Sequence, residues 1–455
     1  MSNNIFTNEE KIPFELTVDE LNKAVSQDIS PTFANTVNEN LNLVLDTSKQ
    51  VEDLKTVFGE DYNLIVTCRD KISATLKREI QNYRETLNKY LLSPNLNFLL
   101  GNGCSIYAGA KTINEKTNDF DEILKDLQAN LSDQNIQSLL KISKQLRPEE
   151  LLSQLSEVKS FFEIIKSKDL ILIKDAISEV KEKFLEKCIV PIDYANNEFH
   201  QLFLRRVVSR PGNLNKVNIF TINYDLLIER ACEDLEIFVS NGFFGFHSRV
   251  FSPAAFKLDL HLDEDKPRHF AKNINLFKLH GSISWRRTNE LHKNPYGLEE
   301  IQIRGDRVKS GAELNECIIY PIQTKKQHSL DLPYSELFRQ FIENLHKPAS
   351  ALLIMGYGFL DEHINDLIAN ALLKPDFHLI VFLYETEEKL TDDHKFLKSL
   401  IKRSGRDSRI TIFSGPFLGD FRNIVQYVMP YIKEKDFEQV LADTFKELKS
   451  KGPNG

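Results

Sequence analysis

The chain has 455 residues, with 58 lysines and arginines against 66 aspartates and glutamates, and a formal net charge of −8 at pH 7. This length supplies two or three domains' worth of sequence and enough apolar residues for a large core. The acidic balance argues against a general nucleic-acid-binding protein, which normally carries a basic excess on one face.

The sequence contains no pattern typical of membrane insertion or secretion. No stretch approaches the roughly 20 consecutive apolar residues that span a bilayer. The polar start Met1–Asn4 is unlike a signal peptide. We therefore expect a cytoplasmic protein without membrane contact.

The cysteines and histidines do not predict a metal site. The five cysteines are scattered and form no C-x-x-C pair, and the eleven histidines show no H-E-x-x-H arrangement. Neither a structural zinc site nor a disulfide framework is therefore expected. Buried free thiols in a reducing compartment are the simpler interpretation.

The first ninety or so residues have the pattern of helices. Thr17–Glu20 fits a capping box, and apolar residues recurring from Leu76 to Leu91 mark one face of a helix. Ser93-Pro94 should end this helix, because proline disfavours helix in the residue before it. We assign residues 1–94 to an N-terminal helical extension that packs against another subunit or braces the core.

The next element is a glycine turn after a short apolar run. Leu99-Leu100 has the pattern of a buried strand end, and Gly101 and Gly103 let the backbone turn tightly and approach a ligand, with Ser105 close behind. If a helix follows, its N-terminal N–H groups favour a phosphate or pyrophosphate. The full dinucleotide fingerprint spacing is missing, so simple punctuation of the chain is an alternative.

The rest of the chain predicts a helical insertion and then a sheet. Apolar residues recur at three- and four-residue steps over a region of few strand signals, which predicts a helical insertion at about residues 115–205. Short, continuous apolar runs follow, and this pattern is typical of a parallel sheet with helices on both faces. The predicted strands of this Rossmann-like α/β fold are Val217–Ile222, Leu276–Leu279, Ile318–Pro321, Ala351–Met355, Leu379–Leu383 and Ile410–Phe413.

Polar residues follow three of these strands. Asn223 and Asp225 follow the first, His280 follows the second, and a second glycine turn at Gly356–Gly358 precedes Asp361, a plausible helix N-cap. Each has a structural alternative: helix caps, a hydrogen-bonded structural histidine and turn glycines. Together with the turn at Gly101 and Gly103, these make four junctions at the same end of their strands. Doubly wound sheets bind ligands at that end, and this favours one shared site.

Four segments resemble the sirtuin signatures in order. Sirtuins read Gly-Ala-Gly-Ile-Ser, Thr-Gln-Asn-Ile-Asp, Leu-His-Gly-Ser and Gly-Thr-Ser. The corresponding segments here are Gly101–Ser105, Thr221–Asp225, Leu279–Ser282 and Gly356–Gly358. The chain is most similar to divergent bacterial sirtuin-like domains of anti-phage defence systems, which degrade NAD instead of deacylating proteins. This implies an NAD-binding catalytic domain over residues 95–425, followed by a C-terminal helix and tail over 426–455.

The chain also departs from the sirtuin pattern. Gly109–Thr112 stands in place of Asp-Phe-Arg, the paired zinc-binding cysteines of deacylases are missing, and Phe359–His363 replaces the segment that holds an acyl-lysine peptide. The resemblance therefore implies cleavage of NAD, as substrate and without a metal, rather than deacylation.

The resemblance and the chemistry of N-glycosidic bonds suggest roles for individual residues. Asn223 would hold the ribose and a water near the anomeric carbon. His280 would hydrogen-bond a ribose hydroxyl or accept a proton from the water. Asp225 would stabilise the developing charge or orient the nicotinamide amide. Further NAD contacts are expected from Gly101, Asn102, Gly103 and Ser105 at the pyrophosphate, Thr221 beside Asn223, Gly356, Tyr357 and Gly358 at the adenosine ribose, and Tyr384 at the adenine.

The predicted function is hydrolysis of NAD+ to nicotinamide and ADP-ribose in anti-phage defence. Because NAD depletion stops the cell, we expect control by a partner or a phage-derived trigger. The helical extension and the stretch Gly356–His363 resemble systems paired with a hexameric HerA-type ATPase, and we expect a homo-oligomer that meets nucleic acid only through such a partner. An NAD-dependent deacylase or ADP-ribosyl transferase, and a non-catalytic nucleotide-sensing scaffold subunit, are the alternatives.

Overall fold

The protein is described by a computed structural model that covers residues 16–430, apart from 42–43, 45–50, 112–118, 133–135, 137–147, 189–191, 212–213, 259–271, 288–295 and 302–331. Over this part of the chain, a seven-stranded parallel sheet has helices on both faces, which confirms the predicted α/β fold. The predicted strand Ile318–Pro321 lies outside the described residues.

The described strands are, in chain order, β1 (Asn95–Leu100), β2 (Val217–Thr221), β3 (Phe238–Ser240), β4 (Phe243–Phe244), β5 (Arg249–Phe251), β6 (Asn273–Lys278), β7 (Trp285–Arg287), β8 (Leu298–Glu300), β9 (Ser350–Met355), β10 (His378–Leu383) and β11 (Ile410–Ser414). The parallel sheet has the order β11-β10-β9-β1-β2-β6-β3, and β4-β5-β8-β7 form a small antiparallel sheet. The five described strands that the apolar runs predicted are all present, with the one beginning at Leu276 extended back to Asn273.

The position of β1 determines where a ligand can bind. The sheet continues from β1 through β2 and β6 on one side, and through β9, β10 and β11 on the other. The strand order therefore reverses beside β1. In open α/β sheets, ligands occupy the crevice outside the carboxyl ends of the strands at such a reversal.

The described helices are, in chain order, α1 (Val18–Val25), α2 (Pro31–Glu39), α3 (Val51–Phe58), α4 (Tyr62–Leu91), α5 (Asp119–Asn130), α6 (Pro148–Ile165), α7 (Leu170–Cys188), α8 (Glu198–Val208), α9 (Leu227–Asp234), α10 (Tyr334–Leu345), α11 (Glu362–Ala371), α12 (Lys395–Ser404), α13 (Pro416–Gly419) and α14 (Phe421–Asn423). None of these is long and apolar enough to cross a membrane.

Successive strand residues point to opposite faces of the sheet, which divides its apolar core in two. Phe98 and Ile219 belong to the core that also contains the N-terminal helices. Leu99 and Phe220, their neighbours in sequence, belong to the core beneath α10, α11 and α12. Both faces are therefore apolar, as the continuous apolar runs predicted.

The N-terminal helices pack on the sheet. Thr17 and Glu20 form the predicted capping box, and α4 ends at Leu91, just before the predicted stop. The Tyr90 hydroxyl lies 3.0 Å from that of Thr411 in β11. Within one chain these helices thus brace the sheet, while their packing against a second subunit stays a prediction.

The helical insertion contacts the loops that follow β2 and β6. Helices α5, α6 and α7 share an apolar cluster whose other members include Tyr224 and Ile283. Tyr224 lies between Asn223 and Asp225, so the insertion packs directly against the segment that carries these two polar side chains.

A row of buried asparagines crosses the centre of the sheet. Asn97, Asn218 and Asn275 are paired in register on β1, β2 and β6. The Asn218 amide donates to Asn97 Oδ1 at 2.9 Å and to Asn344 Oδ1 at 3.1 Å, and it accepts from the Asn275 amide at 2.8 Å. A shift of register would separate these groups, so the row specifies the alignment of the three strands.

We expect Asn218→Ala to lower the free energy of unfolding by about 3 kcal/mol or more, because it leaves buried polar groups of Asn97, Asn275 and Asn344 without their partner. Denaturant unfolding measures this difference. Asn130→Ala is the control, since the exposed Asn130 side chain bonds within its own helix. Equal stabilities of the two variants would contradict the assignment.

Candidate functional site

The four sequence motifs converge at one edge of the sheet. They follow β9, β1, β2 and β6, which are adjacent strands with their carboxyl ends on the same side. Thr221 pairs with Lys278, so Asn223 and His280 each lie two residues beyond a paired position. The topology thus brings the predicted amide and imidazole to neighbouring positions.

The two glycine turns contact each other through their backbones. The N–H groups of Gly101 and Gly103 donate to the carbonyls of Met355 and Gly356 at 2.9 and 3.0 Å. A Cβ at Gly103 would lie 2.7 Å from the Cα of Gly356, and one at Gly356, whose φ is +64°, would lie 2.5 Å from the amide nitrogen of Cys104. Any side chain at these positions would separate the turns.

The first glycine turn differs from a helix-based phosphate site. Two short 3₁₀ turns, Asn102–Cys104 and Ile106–Ala108, follow it in place of an α-helix. Four of the five backbone N–H groups of residues 101–105 donate to protein carbonyls, whereas no described carbonyl accepts that of Asn102. A pyrophosphate contact through this turn stays a prediction.

Ser105 connects the two polar side chains that follow β2. The Asn223 amide nitrogen donates to the Gly101 carbonyl and to Ser105 Oγ, both at 3.0 Å. Ser105 Oγ in turn donates to Asp225 Oδ2 at 2.8 Å. Ser105 is fully buried, so its observed role is to orient Asn223 and Asp225.

Unlike its amide nitrogen, the side-chain oxygen of Asn223 has no hydrogen-bond partner among the described residues. Asn223 is 8 % exposed, and no described residue hydrogen-bonds its buried Oδ1. The orientation of the amide follows from its two oxygen neighbours, which require the nitrogen on their side. Since a buried acceptor without a partner costs free energy, Oδ1 is a candidate for contact with a ligand or water.

Asp225 also has a structural role. Its Oδ1 accepts the backbone N–H of Leu227 at 3.1 Å, at the start of α9. Asp225 therefore supports the first turn of α9 from outside the N-cap position, which Leu226 occupies, whereas Asn223 bonds to Gly101 and Ser105.

His280 pairs with a carboxylate from another motif. Its Nε2 lies 3.1 Å from Asp361 Oδ2, and both side chains are buried. Asp361 Oδ1 accepts the backbone N–H groups of His363 and Ile364, so Asp361 is the predicted N-cap of α11. Because a carboxylate oxygen accepts, Nε2 carries a proton in this contact, and Asp361 thereby orients the imidazole ring.

The sequence did not predict the pairing of His280 with Asp361. It predicted Asp361 only as a helix N-cap. Motif spacing could not reveal it, because the two residues follow strands that β1 and β2 separate in the sheet.

The remaining predicted contacts differ in accessibility. Thr221 bonds to the Leu100 carbonyl and accepts the Asn223 N–H, which gives it a structural role. Tyr357 is buried, with its hydroxyl 3.0 Å from Asn365 Oδ1. Gly358 faces open space. Tyr384 is 60 % exposed, at the end of β10 and two strands from β1.

A buried histidine supports the loop behind the glycine turn. The Tyr107 hydroxyl lies 2.7 Å from His200 Nδ1. Burial lowers the pKa of His200 to about 4, although the charge of Asp225 acts in the opposite direction. Burial also raises the pKa of Tyr107. The pair is therefore neutral at pH 7.

We expect His200 to make stability fall in acid. The unfolded chain binds a proton at His200 below about pH 6.5, whereas the folded chain does so only near pH 4. Between pH 7 and pH 5, folding should lose roughly 2 kcal/mol from this group. Denaturant unfolding of His200→Phe at both values should show a smaller pH dependence, and exposed His247→Gln serves as control. Wild-type dependence in His200→Phe would contradict the prediction.

Part of the chain is similar to a known domain family. Residues 217–402 match the family described as "SIR2-like domain". This range includes Asn223, His280 and Asp361, but not the first glycine turn. No curated protein matches the chain.

Solved structures similar to the chain include three sirtuin-related proteins. A Sir2 homologue–NAD complex has 13 % identity and a TM-score of 0.38, covering 76 % of this chain and 91 % of that one. A Sir2 homologue mutant in complex with ADP-ribose has 14 % identity and a TM-score of 0.39, covering 80 % and 97 %. A third structure, described as "The Structural basis of Sirtuin Substrate Affinity", has 13 % identity and a TM-score of 0.36, covering 76 % of this chain and 97 % of that one. The strand order shows the parallel α/β fold independently of these similarities.

Proposed function

We propose that this chain hydrolyses the bond between nicotinamide and ribose in NAD+. The observation that carries the proposal is that no described residue hydrogen-bonds the buried Oδ1 of Asn223. Asn223 follows β2, and the neighbouring strand β6 leads into the His280–Asp361 pair. The match of residues 217–402 to the SIR2-like domain supports NAD as the ligand.

Cleavage of this bond builds positive charge on the anomeric carbon of the ribose. Nicotinamide becomes neutral as it leaves, so it needs no proton from the protein. The oxygen of a water forms the new bond to the anomeric carbon, and one of its protons must be accepted. The site must therefore hold a water and supply a base.

Asn223 and His280 fit these two tasks. Asn223 Oδ1 accepts a hydrogen bond from the attacking water or a ribose hydroxyl, while Ser105 and the Gly101 carbonyl hold the amide in place. His280 takes the proton as the general base. Asp361 stabilises the imidazolium that results, since its carboxylate contacts Nε2. Asp225 contributes negative charge at the base of the site.

The rest of the NAD molecule would extend along the carboxyl edge of the sheet. The N–H of Asn102 and the open face of Gly358 are available to the pyrophosphate and the adenosine ribose. The exposed ring of Tyr384 could stack on the adenine.

The reaction products discriminate among the candidate functions. Purified protein incubated with NAD, with and without an acetylated peptide and the candidate ATPase, should release nicotinamide and ADP-ribose in equal amounts. Deacetylated or ADP-ribosylated peptide would favour a deacylase or transferase. NAD binding without any product under every condition would favour the scaffold alternative.

We expect Asn223→Ala and His280→Ala each to reduce nicotinamide release by about a hundred- to thousandfold, the ~2.7–4 kcal/mol that one transition-state contact supplies. Thermal unfolding should show that both variants remain folded, and His247→Ala, at an exposed position, is the matched control. Turnover within a few-fold of wild type in both variants would refute these roles.

We further propose that the activity is held in check by assembly and serves anti-phage defence through NAD depletion. Because the insertion packs against Tyr224, movement of helices α5–α7 would displace the segment that carries Asn223. These helices or the N-terminal extension would transmit the control. The signal would be assembly into a homo-oligomer, binding of a HerA-type ATPase partner or binding of a phage-derived trigger.

Light scattering after size exclusion tests this assembly. We expect a homo-oligomer, and a larger complex when the ATPase is added, with faster nicotinamide release on activation. A monomer under both conditions would count against control by assembly and leave the proposed hydrolysis intact.

A further inference from the structure

Lys278 places a buried charge beside the candidate site. It is the last residue of β6 and is 3 % exposed. Its ammonium group donates to Glu229 Oε1 at 2.9 Å and to the backbone carbonyl of Asp225. One side chain thus joins β6 to α9 and to the turn between β2 and α9.

Desolvation of the Lys278–Glu229 pair costs free energy. Burial raises the pKa of Glu229, an effect that Lys278 opposes, and no described residue hydrogen-bonds the buried Oε2 of Glu229. Replacing a buried ion pair by apolar residues of similar volume is often neutral or stabilising. Stability alone therefore gives little reason for a lysine and a glutamate here.

The position of the pair relative to the site supplies a reason. Lys278 precedes His280 by two residues, and the carbonyl that it holds belongs to Asp225, two residues after Asn223. Two backbone hydrogen bonds already join the segment after β2 to the segment after β6. They run from Leu279 N–H to the Thr221 carbonyl at 2.9 Å and from Ile283 N–H to the Tyr224 carbonyl at 3.2 Å. Lys278 adds a charged link from the residue before Leu279 to the carbonyl of the residue after Tyr224.

We propose that Lys278 and Glu229 are positioning residues that hold the Asn223–Asp225 segment in place relative to His280. The proposal rests on the proposed hydrolysis, because it assigns the pair a role in that reaction. The pair contacts no substrate. It acts through the backbone of the segment that carries Asn223, where small displacements are expensive for catalysis.

Paired substitutions separate positioning from stability. Glu229→Leu leaves the buried Lys278 charge uncompensated, and Lys278→Met does so for the partly buried Glu229, so each single variant should destabilise the fold. The double variant removes both charges and should regain near wild-type thermal stability. We expect its kcat to remain about 10- to 100-fold below wild type, with KM for NAD changed by less than about threefold.

The exposed pair Lys398–Asp392 provides the matched control. The corresponding double substitution, Lys398→Met with Asp392→Leu, should leave kcat, KM and thermal stability unchanged. A Lys278→Met/Glu229→Leu variant that regains both stability and kcat would overturn the positioning role, while wild-type turnover would still support hydrolysis.

The test also covers failure of the proposed function. If the wild-type protein releases no nicotinamide under activating conditions, hydrolysis is refuted, and positioning is judged by hydrogen exchange. Peptides covering residues 221–229 should exchange faster in the stable double variant than in wild type. Unchanged exchange there would overturn the positioning role independently.

Discussion

The candidate site depends on close backbone contact between two turns. The turn after β1 and the turn after β9 touch because Gly101, Gly103 and Gly356 have no side chains to hold them apart. This contact lies at the reversal of the strand order. The same turn presents the Gly101 carbonyl to the Asn223 amide, so the orientation of the amide follows from the packing of the glycines.

Around this contact, the buried charges and polar groups are arranged in pairs. Asp225 is satisfied by Ser105 and by the start of α9, Lys278 by Glu229, and Asp361 by His280 and α11. Each pairing joins two different chain segments. Since a buried charge without a partner is costly, these pairs tie the segments together. Among the described residues, Asn223 Oδ1 and Glu229 Oε2 are buried oxygens that no such pairing satisfies.

Local patterns predicted much of the fold and part of the site. Continuous apolar runs located β1, β2, β6, β9, β10 and β11, because buried parallel strands are apolar on both faces. They did not predict the edge strand β3 or the small antiparallel sheet. The capping box at Thr17 and the N-cap at Asp361 were predicted because capping depends on residues two or three positions apart. The helix considered after Gly103 does not form, since two 3₁₀ turns bring Ser105 back beneath Asn223.

The sequence by itself determined the parallel α/β class, the helical insertion and the polar residues at the strand ends, because these depend on periodicity and short-range chemistry. The tertiary structure decided which of those residues meet. It gave His280 its carboxylate partner, turned the glycines towards each other and placed Lys278 against the carbonyl of Asp225. Such contacts depend on strand order, and strand order is set by packing between segments far apart in the chain.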